Sequence, residues 1–332
     1  MERKLASIQK VGDVVPIPGA DKIQVAKIQG WSVVIKKDEY KPGDLCVYAE
    51  IDSVLPPKPE FEFLKDRSYR IKTIKLRGQI SQGIVFALRI LPQGTRAVEG
   101  LDVTELIGVT KYLPNIPAHL QGEVKDAFPS FIPKTDEERI QSAPGVLERH
   151  RGRMFYVSEK IDGSSMTAYC NDGAFGVCSR NLEILESADN ALWSIARKWD
   201  MEAKLKALGF NAAIQAEVYG MGVQGNKYRK EQLEVAAYSI FNITEHRYLD
   251  FADLMELCAT WKLPTVPIVD DTFVLNHTVE ELIQAAEGNS QLNPAMPREG
   301  IVLRSLQECR DQGIGRLSFK VINNQFLLKF EE

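Results

Sequence analysis

At 332 residues the chain is too long for one small hydrophobic core, so two domains are expected. Its 44% hydrophobic and 26% charged residues are the proportions of an ordinary soluble globular protein. No apolar run is long enough to span a bilayer, and Met1-Glu2-Arg3-Lys4-Leu5 lacks the apolar core of a signal peptide. The five cysteines (Cys46, Cys170, Cys178, Cys258, Cys309) are scattered and form no C-x-x-C pair. They read as free thiols in a reducing, cytoplasmic setting, which argues against a structural zinc site. The net charge of −4 hides an asymmetry: residues 1–100 carry 17 Lys/Arg against 12 Asp/Glu, a surplus of 5, which leaves −9 for the remainder. That division suits polyanion binding in front of metal-assisted chemistry, although uneven surface charge without function would give the same numbers.

The first 115 residues are strand-like. Leu5–Ile8, Ile23–Ile28, Trp31–Ile35, Leu45–Ala49 and Gly83–Leu88 are short runs with β-branched residues, punctuated by Pro18-Gly19, Gly30 and Lys41-Pro42-Gly43-Asp44. Five or six strands in so few residues predict a small barrel of OB type, with a small sandwich as the alternative. Within it, residues 65–78 hold six basic side chains against one acid. Arg70 and Lys72 partly alternate with Ile71, Ile74 and Leu76, as on a half-buried strand with one charged face. Arg70, Lys72, Lys75 and Arg77 are therefore candidate nucleic-acid contacts, with Tyr69 as a ring for a base to stack on. A solvated strand face is the other reading.

Pro114, Pro117, Pro129 and Pro133 mark a connection, placed at residues 116–134, with a helical turn expected around Leu120–Ala127. Thr135 or Asp136, followed by acidic residues, predicts a helix start, and Arg139 on its first turn is either a surface residue or a phosphate contact. Residues 135–332 form the second domain. Met154-Phe155-Tyr156-Val157 leads into Ser158-Glu159-Lys160-Ile161-Asp162-Gly163, a strand ending in a tight turn, where Gly163 is expected to relieve the limits on φ. The turn Asn171-Asp172-Gly173 predicts a hairpin that returns Ser179 and Arg180 toward Lys160. Ala191–Leu208 and Phe251–Trp261 read as helices, while Ala213–Gly220 and Val235–Ile243 read as strands. Glu217 is a lone acid among apolar neighbours, which is costly unless it faces a site. Arg298–Arg304 and Leu317–Val321 each place a charge beside or within a strand-like run.

The order of these segments resembles the motif series of the lysine-dependent nucleotidyltransferases, the polynucleotide ligases and mRNA capping enzymes. K-x-D-G stands at Lys160, Asp162 and Gly163, followed by Ser179-Arg180-Asn181, Glu217-Val218-Tyr219-Gly220, Tyr238–Phe241, Glu299-Gly300-Ile301-Val302 and the motif of Lys320. The whole chain resembles the ATP-dependent RNA ligases with an N-terminal OB domain, the Deinococcus/Naegleria type. Lys75–Gly83, Thr135–Gln141 and Ser318–Asn323 carry that narrower likeness. After Lys320 no ligase-type OB domain is expected, unlike in classical DNA ligases and capping enzymes. Many relatives have K-x-K at the last motif, whereas Ser318 holds the first position here, with Arg316 as a candidate for the missing charge.

The resemblance implies an α+β fold, an OB-type barrel followed by an adenylyltransferase domain of antiparallel sheets with flanking helices. It implies a lysyl-AMP intermediate on Lys160, transfer of AMP to an RNA 5′-phosphate, and sealing by a 3′-hydroxyl at nicks whose 3′-OH strand is RNA. Asp162, Glu217 and Glu299 would hold Mg2+ or Mn2+, in part through water. Arg139, Arg180, Arg316 and Lys320 would grip phosphates, Glu159 would contact adenine, Val302 would line the nucleotide site, and Phe241 would stack on the base, with Tyr238 second choice. Glu217 could instead bond the ribose. ATP and RNA are thus the expected cofactor and partner of a monomer without membrane attachment. A nucleotidyltransferase acting on DNA ends or a cap, or an inactive nucleic-acid-binding protein, are the competing readings.

Overall fold

The computed structural model describes residues 3–113 and 118–330. Pro114 and Pro117, two of the prolines that mark the connection, lie outside them. Ala6–Pro16, Ile23–Ile28, Trp31–Lys36, Leu45–Ala49 and Ile84–Phe86 form an antiparallel sheet in the order third, second, first, fourth, fifth. The first strand serves both halves of it. Its start pairs with Leu45–Ala49 and its end with Ile23–Ile28, with a register slip between Val11 and Val14. Such an irregularity bends and twists a strand, so the sheet curls until the Gln82 N–H reaches the Ser32 carbonyl at 2.8 Å. Ile8, Trp31, Tyr48, Ile51 and Phe61 fill the enclosed core. This is the expected OB-type barrel.

Among the described residues, two large sheets and the small hairpin Arg310–Asp311 with Gly315–Arg316 make the second part. One has seven strands, in the order Val124–Ala127, Leu182–Ile184, Ala174–Cys178, Ser164–Asn171, Ala212–Gly220, Leu233–Asn242, Arg247–Tyr248. Its apolar face is covered by the helices Ala191–Lys198, Met201–Lys206 and Phe251–Trp261. The other has five, in the order Glu138–Arg139, Ser318–Ile322, Gly300–Ser305, Met154–Lys160, Ile268–Val274. Phe155, Val157, Ile301, Leu303, Phe319 and Val321 alternate onto one face of it and pack against Val279–Ala286. The lysine strand Met154–Lys160 ends one sheet, and Ser164–Asn171 begins in the other. Three residues, Ile161, Asp162 and Gly163, cross between them. Among the described residues no helix is long and apolar enough to cross a membrane, and the five cysteines are free.

Some expectations give way to pairing. The helix expected at Thr135 or Asp136 does not form; Glu138–Arg139 instead lies parallel to Ser318–Ile322, with Arg139 opposite Lys320. Sheet pairing and a buried ion pair outweigh the local capping signal there. The turn expected over Leu120–Ala127 splits into a helical turn, Ala118–Gln121, and an edge strand, Val124–Ala127. The basic stretch is mostly not a strand. Pro59–Arg67 is a 3₁₀ helix closed by Ser68 and Tyr69 with positive φ, Arg70 makes an isolated bridge to Val54, and Ile74–Leu76 pairs as a hairpin with Gln79–Ser81.

Candidate active site

The site is built where the two sheets meet. Strand alternation places Tyr156, Ser158 and Lys160 on the face opposite the apolar core, beside Arg304, Val302 and Gly300 of one neighbouring strand. The next strand adds Ser318 and Lys320 to the same face. From the other sheet, Glu217 lies opposite Ser165. Gly163 permits this approach. Its φ is not positive, contrary to the turn reading; a Cβ there would stand 2.5 Å from the Val218 carbonyl oxygen and 2.8 Å from Glu217 Cγ.

The Lys160 ammonium bonds both oxygens of Glu299, at 2.6 and 2.7 Å. Burial works to depress its pKa, but the carboxylates of Glu299, Glu217 and Asp162 outweigh burial and hold it above the ordinary lysine value. The resting Lys160 side chain is therefore a protonated amine. Burial, with the neighbouring charges of Glu299 and Asp162, pushes the Glu217 carboxyl up to about 8 despite Lys160. Burial likewise raises Glu299, against the opposing pull of Lys160. Asp162 pairs with Lys227 at 2.6 Å. Among the described residues no three His, Cys, Asp or Glu side chains form a ready cage for a metal. The three acids suit a hard cation that keeps part of its water shell, and a cation there would also favour the ionised form of Glu217, which burial and the charges of Glu299 and Asp162 now oppose.

A basic wall stands beside the acids. Lys320 is driven down to about 7 by burial and by Arg139, Lys160 and Arg3. Arg139 is buried and bonds Asp52 of the barrel at 2.6 Å, yet its Nε and one terminal nitrogen have no partner. Arg180 pairs with Asp136, which also faces Lys111 at 3.8 Å. The hairpin Ser164–Asn171 and Ala174–Cys178 carries Arg180 there, as its turn signal predicts.

Other candidates lie elsewhere. Phe241 sits opposite Ala213, four residues along the strand from Glu217, roughly 13 Å away at strand spacing. It is packed among Ile132, Tyr169 and Cys178. Tyr238, at the register irregularity of the same strand, is the aromatic that meets the site. The Ser165 and Thr135 hydroxyls, which bond one another at 3.0 Å, and the Glu217 charge bear on it. Arg316 does not fill the gap at Ser318, because its guanidinium is taken up by Glu308 and Ser239 and stacks 3.6 Å over Tyr248. Glu159 turns to the Ser290–Gln291 loop, where one oxygen accepts the Gln291 N–H at 2.8 Å and the other is buried without a partner. Val302 is buried beside Lys320 and Ser158. Arg70 is withdrawn from the proposed nucleic-acid face: it is buried, paired with Asp52 at 3.3 Å, and lies 3.5 Å over the Tyr112 ring. Lys75 and Arg77 are exposed and Lys72 is partly so.

Comparison with known proteins follows this geometry closely. An OB-fold domain model matches residues 5–88, and an RNA ligase model matches residues 153–322. The Naegleria gruberi RNA ligase solved with PPi is 38% identical, with a TM-score of 0.92 over 98% of both chains. This chain belongs to the RNA ligase family. A lysine-to-alanine mutant of the Naegleria ligase, solved with ATP and Mn, has a TM-score of 0.91 at the same identity and coverage. A glutamate-to-alanine mutant with ATP and Mn is 37% identical over 99% of this chain and 100% of that one, with a TM-score of 0.92. No curated protein matches.

The RNA ligase fold thus joins groups that sequence spacing left apart. Arg304 was passed over as one charge in a strand-like run. It is buried, bonds Glu137 at 2.9 Å, lies over Tyr238, and stands directly opposite Ser318. The charge that faces Ser318 is thus the Arg304 guanidinium of the neighbouring strand, itself paired with Glu137. Lys111 and Lys227 were also missed. Lys111 lies beside the prolines of the connection, and Lys227 in the turn-rich stretch after Glu217, where the local pattern gave no sign of a partner.

Proposed function

We propose that this family member is an ATP-dependent RNA ligase that carries AMP on Lys160 and seals 3′-hydroxyl/5′-phosphate breaks, at nicks whose 3′-OH strand is RNA. The observation that carries this reading is the Lys160 ammonium, held by Glu299 between two sheets with Asp162 and Glu217 in the same field. In the first step Lys160 Nζ bonds the α-phosphorus of ATP and the bond to pyrophosphate breaks. AMP then passes to the RNA 5′-phosphate, and the 3′-hydroxyl displaces it. Such transfers depend on positioning and on balancing charge.

The residues divide the work. Asp162, Glu217 and Glu299, the groups that keep Lys160 protonated, would hold a divalent cation whose charge would offset theirs. Once they are offset, burial favours the neutral amine. The unpartnered nitrogens of Arg139, together with Lys320 and Arg180, suit phosphate oxygens. Tyr238 and Val302 would hold the base, and the Glu159 oxygen without a partner would accept a hydrogen bond from it. Lys72, Lys75 and Arg77 are the remaining candidates for RNA backbone on the barrel. We assign residues 1–115 to the OB-fold domain, 116–134 to the connection and 135–332 to the ligase domain.

Incubation with ATP and manganese should add one AMP to the intact chain, detected by mass, and Lys160→Ala should take up none. Absence of the adduct on the unmodified chain would defeat the reading. Nicked duplexes that differ only in ribose or deoxyribose at the 3′-OH end then separate RNA from DNA sealing, with the ribose nick expected to seal at least about tenfold faster.

A further inference from the structure

A second lysine makes a contact that the ligase reading leaves unassigned. The Lys227 ammonium lies 2.6 Å from Asp162 Oδ2, and the two side chains are only 13% and 7% exposed. The neighbouring Tyr228 hydroxyl accepts the Asp162 N–H at 2.7 Å, and its ring is buried with Ile161. Residue 162 is thus held by both its backbone and its carboxylate from one stretch of chain. The ammonium is caged in turn, 5.7 Å from the ring centre of Phe326 and 5.4 Å from that of Phe330, and Asn293 bonds the Lys227 carbonyl at 3.0 Å.

Both rings belong to the helix Asn324–Phe330, which touches three parts of the molecule. Leu327 packs on the barrel core, and the Asn324 side chain accepts a bond from Gln82 of the barrel at 3.2 Å. Just before the helix, the Asn323 N–H bonds the Glu299 carbonyl at 2.8 Å. One short segment therefore braces the barrel, the strand entry at Glu299, and the lysine that grips Asp162.

We propose that Lys227 is a positioning residue for AMP transfer, fixing the Asp162 carboxylate, and that the helix Asn324–Phe330 sets this grip from the barrel. An ion pair this buried contributes little net stability compared with an apolar pair, whereas losing one partner frees the other from its geometry. Ring faces on either side restrict where the ammonium can go. The proposal rests on the lysyl-AMP reading above.

The test is single-turnover formation of lysyl-AMP by the full chain with manganese, over a range of ATP concentrations. Lys227→Met should slow the maximal rate about tenfold or more, while the ATP concentration for half-maximal rate moves less than about threefold. Lys227→Arg, which keeps the charge, should recover the rate to within about threefold. Asp162→Asn with Lys227→Met should be no slower than Asp162→Asn alone, because the lysine acts only through that carboxylate. A Lys227→Met protein that reacts at the original rate overturns the proposal, as does a double variant whose losses multiply. Should Lys227→Met fail to melt cooperatively, Phe330→Leu opens the cage from the helix side. A slower maximal rate supports the grip, and an unchanged rate overturns it. An unmodified chain that takes up no AMP overturns the lysyl-AMP reading and this proposal together.

Discussion

Lys160 and Lys320 share one sheet face and sit in opposite fields. Carboxylates hold Lys160 charged, whereas burial and neighbouring cations bring Lys320 down to about 7. The Lys320 ammonium is therefore costly in the folded chain. Its contribution to stability is present above its unfolded pKa of 10.5 and is lost as pH falls toward 7. An arriving phosphate reverses the balance by favouring the ammonium. Pyrophosphate binding at pH 8 should take up part of a proton, read by calorimetry in buffers of different ionisation enthalpy, and Lys320→Met should abolish the uptake. Equal heats in every buffer would count against it. The sequence named Lys160, Glu217, Glu299 and Lys320 from the order of their motifs, and Glu217 also as a lone acid among apolar neighbours. It did not locate the partner of Ser318, since a cross-strand neighbour is fixed by register and not by spacing along the chain. The choice of Phe241 over Tyr238 failed to reach the site for a related reason. A bulge between Gln215 and Ala216 changes which residues of the paired strand meet Glu217.

Among the elements, the turn at Gly163 is the least forgiving. Alanine would meet a carbonyl held in the Ser164–Val218 pairing and the side chain of Glu217. Gly163→Ala should therefore lower lysyl-AMP formation by about a hundredfold while costing the fold only about 1–3 kcal/mol. Single-turnover kinetics and denaturant melts on one preparation check both numbers, and a normal rate would show that the strand ends can part. Strands and the Asn171-Asp172-Gly173 hairpin were legible because side-chain period and turn chemistry are local. The Thr135 helix was not, because its competitor, the edge of the Ser318–Ile322 strand, lies far along the chain. Ala191–Leu208 was read as one helix and is two, broken where Asp200 takes a positive φ.

Across the whole molecule, the barrel and the ligase part meet through charge. Asp52 accepts from Arg139 and Arg70, Glu50 accepts from Arg3 and from the Ser142 hydroxyl, and Gly30 bonds the Gln141 carbonyl at 2.9 Å. Removing Asp52 takes a carboxylate partner from two buried guanidinium groups. Asp52→Ala should cost about 3–5 kcal/mol in denaturant melts and should slow AMP transfer, since Arg139 is the strand neighbour of Lys320. A loss below about 1 kcal/mol would mean that water replaces the carboxylate. The charge asymmetry of the sequence pointed toward a basic barrel, but Arg70, one of the four residues expected on its nucleic-acid face, turns inward to this junction.

The three-residue crossing from the lysine strand into Ser164–Asn171 has one more consequence. Two layers are joined at the proposed nucleophile, so neither can slide on the other without carrying Lys160 along. Reactivity then serves as a gauge of interlayer alignment. A substitution in either core that shifts one layer by an ångström should register first as lost AMP transfer, well before the protein becomes easier to unfold.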